Sequence, residues 1–222
     1  MVRKEGEGIK DYNIDEVDSV TGLVNQMGGV GFQASNLSSS VDIIKRMKQE
    51  GCKIFLSFTA NMLASGLRGC IVDLIRKGYV NAVLTTGGSI DHDIIRSYDE
   101  YLLGGFDLDD GELHSKGINR LGNILVPTER YETLEKIIQP WFEEYYTQEG
   151  KIVTPSQLIS FLSSKIDKED SFLYHCHKNN IPVFSPGITD SAVGLQLYFF
   201  KQDHKDFYVD VVGDLEPAIN LA

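Results

Sequence analysis

Apolar and polar positions along this chain fall into blocks whose period changes from helical to strand-like and back. Val17, Val20, Leu23, Val24 and Met27 share one helical face, behind Asn13 or Asp15 as a cap and ahead of the stop at Gly28-Gly29. Residues 31–34 read as a connector. Asn36 or Ser38 starts a second helix, which carries Val41, Ile43, Ile44 and Met47 and ends at Gly51. Residues 52–58 are nearly continuous in apolar character, as suits a parallel strand covered on both faces. A long helix is predicted from Met62 to Lys77, then a strand over 82–86, then a short helix from after Asp93 to about Tyr101.

Residues 104–117 have no clear period and read as a surface excursion. Asn123–Pro127 is extended, and Thr128 opens a helix that runs past Pro140-Trp141-Phe142. Thr154-Pro155-Ser156 is a strong helix start, with proline at the first helical position. Helices follow over 167–180 and from Ser191 to Phe200. Strands are predicted over 181–186 and 207–212, and a last helix opens at Gly213-Asp214. Strands alternating with helices predict an α/β fold: a Rossmann-like, doubly wound parallel sheet with flanking helices. Residues 1–13 read as a flexible entry segment and residues 14–222 as one domain. A parallel sheet that stops on the first turns of a crossover helix is expected to lack its C-terminal part.

Composition adds limits. The chain has 222 residues, 42% of them hydrophobic, and a net charge of −11. That supports a folded domain and argues against a duplex nucleic-acid binder, which carries a basic stripe. Cys52, Cys70 and Cys176 form no CxxC pair and no disulfide framework. No apolar run approaches the ~18 residues of a membrane span, and the first ten residues lack a secretory apolar core. The cytoplasm is the default location, with no membrane partner.

Three strand ends carry similar chemistry: Ser57-Phe58-Thr59-Ala60-Asn61, Thr85-Thr86-Gly87-Gly88, and Ser185-Pro186-Gly187-Ile188-Thr189-Asp190. In an open α/β sheet such ends share one edge and can converge on one ligand. They also suit mere helix capping, because turns favour Ser, Thr, Asp and Gly. Asp91-His92-Asp93 reads either as an acid–base group or as a capping cluster. His175 and His177 are two apart on a helix and point to different faces, so no metal site is expected there. Asp107, Asp109, Asp110 and Glu112 lack the spacing of a calcium loop and read as solvated acids.

Several segments, in order, resemble the deoxyhypusine synthase family. They are Met27–Ala34, Phe55-Leu56 through Ser65-Gly66-Leu67-Arg68, Leu84–Asp93, Gly117–Pro127 and Ile181–Asp190. The resemblance implies an NAD-dependent transferase. Such an enzyme oxidises spermidine, captures its aminobutyl group on a lysine as an imine, and passes it to one lysine of the translation factor 5A precursor. It also implies a homotetramer, a dimer of dimers. By position, the resemblance puts NAD contacts on Ala60, Asn61, Met62, Leu63, Ala64, Thr86, Gly87, Gly88, His92 and Asp190. It puts the amine against Asp91 and His92. His92 and Leu195 stand where many relatives carry acids. The family's lysine lies in a Trp-Gly-Lys motif that these residues do not contain, so no catalytic lysine is assigned and the isolated chain is expected to be inactive. Two other readings stay open: a non-catalytic regulatory relative, and an aminobutyl transferase acting on a small amine, like homospermidine synthase.

Overall fold

The structure, a computed structural model, describes residues 6–222. The chain divides after Lys53 into two compact units. In the first, a 3-10 turn at Ile14–Glu16 precedes helices α1 (Val20–Met27) and α2 (Gln33–Gln49). Ser19 caps α1 in place of Asn13 or Asp15, accepting the Gly22 N–H at 3.1 Å. The backbone of Asn13 pairs instead with the Gln26 side chain at 2.9 and 3.1 Å. α2 begins inside the expected connector, so Asn36 and Ser38 lie within its first turns. Residues 1–5 of the expected entry segment lie outside the described residues.

The second unit runs β1 (Phe55–Phe58), α3 (Ala60–Ala64), α4 (Arg68–Arg76), β2 (Ala82–Thr85), α5 (Gly87–Tyr98) and β3 (Leu102–Leu103). Next come α6 (Asp110–Ser115), β4 (Ile118–Leu121), β5 (Ile124–Pro127) and the long helix α7 (Glu129–Gln148). It closes with β6 (Ile152–Val153), α8 (Pro155–Ser164), α9 (Phe172–Lys178), β7 (Val183–Phe184), α10 (Ala192–Asp203), β8 (Tyr208–Val209) and α11 (Leu215–Leu221).

The central sheet is parallel, in the order β1-β2-β7. It is a mixed α/β arrangement with flanking helices, as the alternating pattern predicts. Phe55 and Leu84 remain 38% and 41% exposed, so the cover is less complete at β1 and β2 than their apolar runs suggest. The expected 62–77 helix is two helices, because Gly66 takes a φ of +91° that only glycine adopts freely. The expected excursion at 104–117 folds onto an antiparallel sheet, β3-β5-β4, with α6 beside it.

The expected fourth central strand is β8, which pairs with β6 in a separate two-stranded sheet. Its anchor is aromatic: Phe207 is 2% exposed and meets Phe200 edge-on at 5.3 Å. α7 continues through Pro140. Its face Leu134, Ile138, Phe142 and Tyr145 is buried, and that packing outweighs the one backbone bond a proline removes.

Helices α8, α9 and α10 start alike. Each has a local hydroxyl that accepts the third helical N–H: Thr154 for Gln157, Ser171 for Tyr174 and Ser191 for Gly194. Each also has an aspartate from far along the chain on the earlier N–H groups. Asp91 takes Ala192 and Val193 at 2.7 Å each. Asp93 takes Phe172 at 3.2 Å, Leu173 at 3.1 Å and the Ser171 hydroxyl at 2.5 Å. Asp214 takes the Ser156 N–H at 2.9 Å, and Pro155 has no N–H to satisfy. A carboxylate at a helix N-terminus is favoured by both the free N–H groups and the helix dipole.

Asp93 is fully buried, with the Arg68 guanidinium 3.5 Å away and Arg68 itself only 5% exposed. Arg68 keeps a second carboxylate, Asp170, so removing Asp93 chiefly leaves the Phe172 and Leu173 N–H groups unanswered. At about 1–3 kcal/mol for each such buried donor, Asp93→Ala is expected to cost about 2–5 kcal/mol, read from urea unfolding. A loss below about 1 kcal/mol would show that α9 is held by its apolar face and by Ser171 alone.

Candidate functional site

The three strand ends that the sequence singles out do meet. The Thr85 hydroxyl donates to the Phe58 carbonyl at 2.7 Å, which ties the end of β2 to the end of β1. A Cβ on Gly87 would lie 2.6 Å from Ser191 Cβ and 3.0 Å from the Ile188 carbonyl. Glycine is therefore required where β2 turns into α5 against the turn that follows β7. A Cβ on Gly88 would come within 3.0 Å of Ala60 Cβ, so the starts of α3 and α5 lie side by side.

α5 begins at Gly87, earlier than its glycines suggest, and Asp91-His92-Asp93 lie in its second turn, not before it. Residues two apart on a helix point to opposite sides. Asp91 accordingly reaches α10 and Asp93 reaches α9, as described above. Asp91 caps a helix, but a remote one. Each of its oxygens retains a lone pair, since a carboxylate offers about four acceptor sites.

The expected contact residues divide by exposure. Asn61, Met62, Thr86 and Asp190 present side chains to solvent, and Ala60 and Gly88 are half-buried. Leu63 and Ala64 turn into the core, and the Leu63 carbonyl accepts from Arg96. Leu195 is 51% exposed on α10. Of the helices that start at the strand ends, α10 is capped by Asp91 and Ser191. α3 and α5 have no side-chain cap, so their first N–H groups remain for another acceptor. Ser185, at the end of β7, holds a buried hydroxyl without a partner among the described residues.

His92 is 7% exposed, and its Nδ1 lies 2.7 Å from the Tyr101 hydroxyl. The two rings meet edge-on, with centroids 5.5 Å apart. Burial, helped by the Arg96 guanidinium, pushes the imidazole down to about 4. Burial pushes the Asp91 carboxyl up to about 6, against the pull of the Val193 and Ala192 N–H groups. At neutral pH the site therefore holds a carboxylate beside an uncharged imidazole. The residue types and their order do not single out Tyr101, Arg68 or Ser171, because their partners lie on other elements.

The other candidate clusters have local partners. The His175 ring contacts the Glu169 carbonyl at 2.8 Å, and Cys176 is buried in the core. Asp109 caps α6, Asp110 pairs with Arg120, and Glu112 pairs with Lys116. A cavity of about 660 Å³ lies at the other end of β7, lined by Ser156, Ser160, Cys176, His177 and Ile181 among others. It includes none of the strand-end residues. No helix among the described residues is long and apolar enough to cross a membrane.

A family model described as deoxyhypusine synthase matches residues 22–222. The chain belongs to the deoxyhypusine synthase family. A "probable deoxyhypusine synthase" of Thermococcus gammatolerans is 36% identical over 234 aligned positions, covering 98% of this chain and 70% of that protein. One of Thermoplasma acidophilum is 39% identical, covering 96% of this chain and 70% of its own length. Among solved structures, a chain described as a "putative deoxyhypusine synthase" of Entamoeba histolytica shares the fold with a TM-score of 0.72. It is 24% identical, over 95% of this chain and 73% of that one.

Asp91 and His92 give opposite pH dependences. Asp91 has a folded value above its ordinary one. Its contribution to stability is most favourable below about pH 4 and is lost as pH rises to about 6. His92 has a folded value below its ordinary one. Its penalty is greatest below about pH 4 and disappears as pH rises to about 6.5. His92→Gln removes the second slope only. The stability of this variant relative to the parent is expected to be about 3 kcal/mol more favourable at pH 4 than at pH 7, by urea unfolding at both. Equal differences at the two values would mean that His92 titrates normally in the folded chain.

Proposed function

We propose that this chain carries the NAD and amine sites of a deoxyhypusine synthase. The activity is transfer of the aminobutyl group of spermidine to one lysine of the translation factor 5A precursor. One observation carries the reading within this family. The uncapped starts of α3 and α5 lie against each other, one helical turn from the Asp91 carboxylate and His92.

Bound NAD would supply hydride acceptance from the amine's carbon. Its anionic pyrophosphate suits the free N–H groups around Ala60 and Gly87-Gly88, because helix starts attract anions. Gly87 and Gly88 keep side chains out of that approach. Thr86 and Asn61 offer exposed polar groups beside it, and Asp190 adds a carboxylate at the third strand end. Met62 adds an apolar surface, while Leu63 and Ala64 act by holding α3 in the core.

Asp91 is ionised at neutral pH, and its remaining lone pairs can take an ammonium in a charge-assisted hydrogen bond. Its two bonds to α10 fix where that charge stands. The receiving lysine is not assigned within these residues. Lys151, Lys165 and Lys201 are each engaged away from the strand ends, with Asp206, Glu144 and the Phe207 carbonyl.

The test uses the 222-residue chain with labelled spermidine and NAD. Equilibrium dialysis is expected to show NAD retained. Asp91→Asn is expected to weaken spermidine retention about tenfold, the worth of one charged hydrogen bond. No stable aminobutyl adduct is expected on this chain by mass spectrometry. Failure to retain NAD would overturn the reading, and an adduct would assign the lysine to these residues.

A further inference from the structure

His92 is neutral, buried and bound through one ring nitrogen, so the state of its other nitrogen decides what it can recognise. A neutral imidazole carries a single N–H, and the hydrogen bond at one nitrogen fixes which one bears it. At Nδ1 the partner is Tyr101, 2.7 Å away. Two arrangements share that distance. Either the phenol donates to Nδ1, or Nδ1–H donates to the phenol oxygen.

The phenol makes no other hydrogen bond among the described residues. If it accepted from Nδ1–H, its own proton would be left without an acceptor in a half-buried place. If it donates, the ring's single N–H is left over at Nε2 instead, so each arrangement leaves one donor, and acidity decides: a phenol O–H is a stronger acid than a neutral imidazole N–H, and the imidazole nitrogen is a better acceptor than the phenol oxygen. Burial and the neighbouring Tyr131 and Asp91 push the Tyr101 phenol further above its ordinary range, so the proton stays on its oxygen. The edge-on packing of the two rings restrains the imidazole from flipping. Nε2 then carries the ring's proton. Nε2 has no partner among the described residues and is not sealed from solvent, since Ser185 Oγ is the one buried unpartnered side-chain atom among them.

We infer that His92 is a fixed hydrogen-bond donor through Nε2–H, held in that tautomer by Tyr101 as a positioning residue. The ligand atom seated against it is an uncharged acceptor, a carboxamide oxygen or the lone pair of a neutral amine. An ammonium has no lone pair and cannot fill that place. The negative charge for an ammonium comes instead from Asp91, one residue away and directed toward α10. The identity of the ligand rests on the functional reading above; the tautomer does not.

The experiment is ¹⁵N NMR of the histidine-labelled whole chain at neutral pH. The His92 pair is assigned by its loss in His92→Gln. The expected pattern is a pyridine-like Nδ1 and a pyrrole-like Nε2. Tyr101→Phe keeps the ring packing and removes the hydroxyl. It is expected to shift the tautomer ratio about tenfold toward Nδ1–H, the worth of one net hydrogen bond. Added nicotinamide, an uncharged carboxamide, is expected to move the Nε2 signal, and spermidine alone is not.

A pyrrole-like Nδ1 in the parent chain would overturn the inference, as would a Tyr101→Phe spectrum like the parent's. An Nε2 signal that answers spermidine and ignores nicotinamide would also overturn it. The expected tautomer in a chain that retains no NAD on dialysis would uphold the donor and sink the functional reading instead.

Discussion

Buried carboxylates at the starts of distant helices hold the second unit in register. Asp91, Asp93 and Asp214 each close a helix that begins with its own serine or threonine cap. The division of labour follows from helix geometry. The first N–H groups of a helix have no internal acceptor. A local hydroxyl reaches the third helical N–H, and a second acceptor is needed for the first two. In water the solvent would supply it. Here the starts of α9 and α10 are partly or wholly covered, and an unanswered N–H in such a place costs about 1–3 kcal/mol.

Two of the three aspartates lie on α5, two residues apart, so one helix fixes both α9 and α10. That makes α5 the hinge between the parallel sheet and the helices after it. Its own start has no such partner. Gly87 and Gly88 let α5 approach the turn after β7 and the start of α3. The same close approach leaves backbone N–H groups where three strand ends converge. Structural need and candidate chemistry therefore coincide on one helix, with caps on its flanks and free donors at its tip.

The sequence shows the local half of this arrangement and hides the remote half. Thr154-Pro155-Ser156 with Gln157 is legible as a capping box because all its parts lie within one turn. The strand ends are legible because Ser, Thr and Gly cluster after apolar runs. Asp91 and Asp93 read as an acid–base group or a cap of their own helix, since nothing nearby reveals that their oxygens serve residues 101 and 80 positions further on, respectively. The start of α5 is read late because Gly-Gly-Ser is a poor helix opening by propensity. Packing against Ala60 and Ser191 overrides that preference. The strand over 207–212 carries the right apolar pattern and joins a different sheet, because its anchor is an aromatic cluster with Tyr145, Tyr146 and Phe200. Tyr101 has no sequence signal at all; only the fold brings it to His92.

The two neighbours Asp91 and His92 show why a buried site can stay polar without becoming unstable. Burial alone favours the neutral form of both groups. For His92 nothing opposes it, and the imidazole is neutral with its polarity directed by Tyr101. For Asp91 two N–H groups at a helix start oppose it, and the carboxylate survives at neutral pH. The charge at the candidate site is thus not a free property of one side chain. It exists because α10 is docked, and α10 is docked partly because the charge is there. A ligand cation that draws on the remaining lone pairs of Asp91 meets an anion whose position the fold has already fixed. Such preorganisation lowers the cost of ordering a flexible amine. The same coupling runs backward: a change that loosens the start of α10 alters the charge state that the site presents.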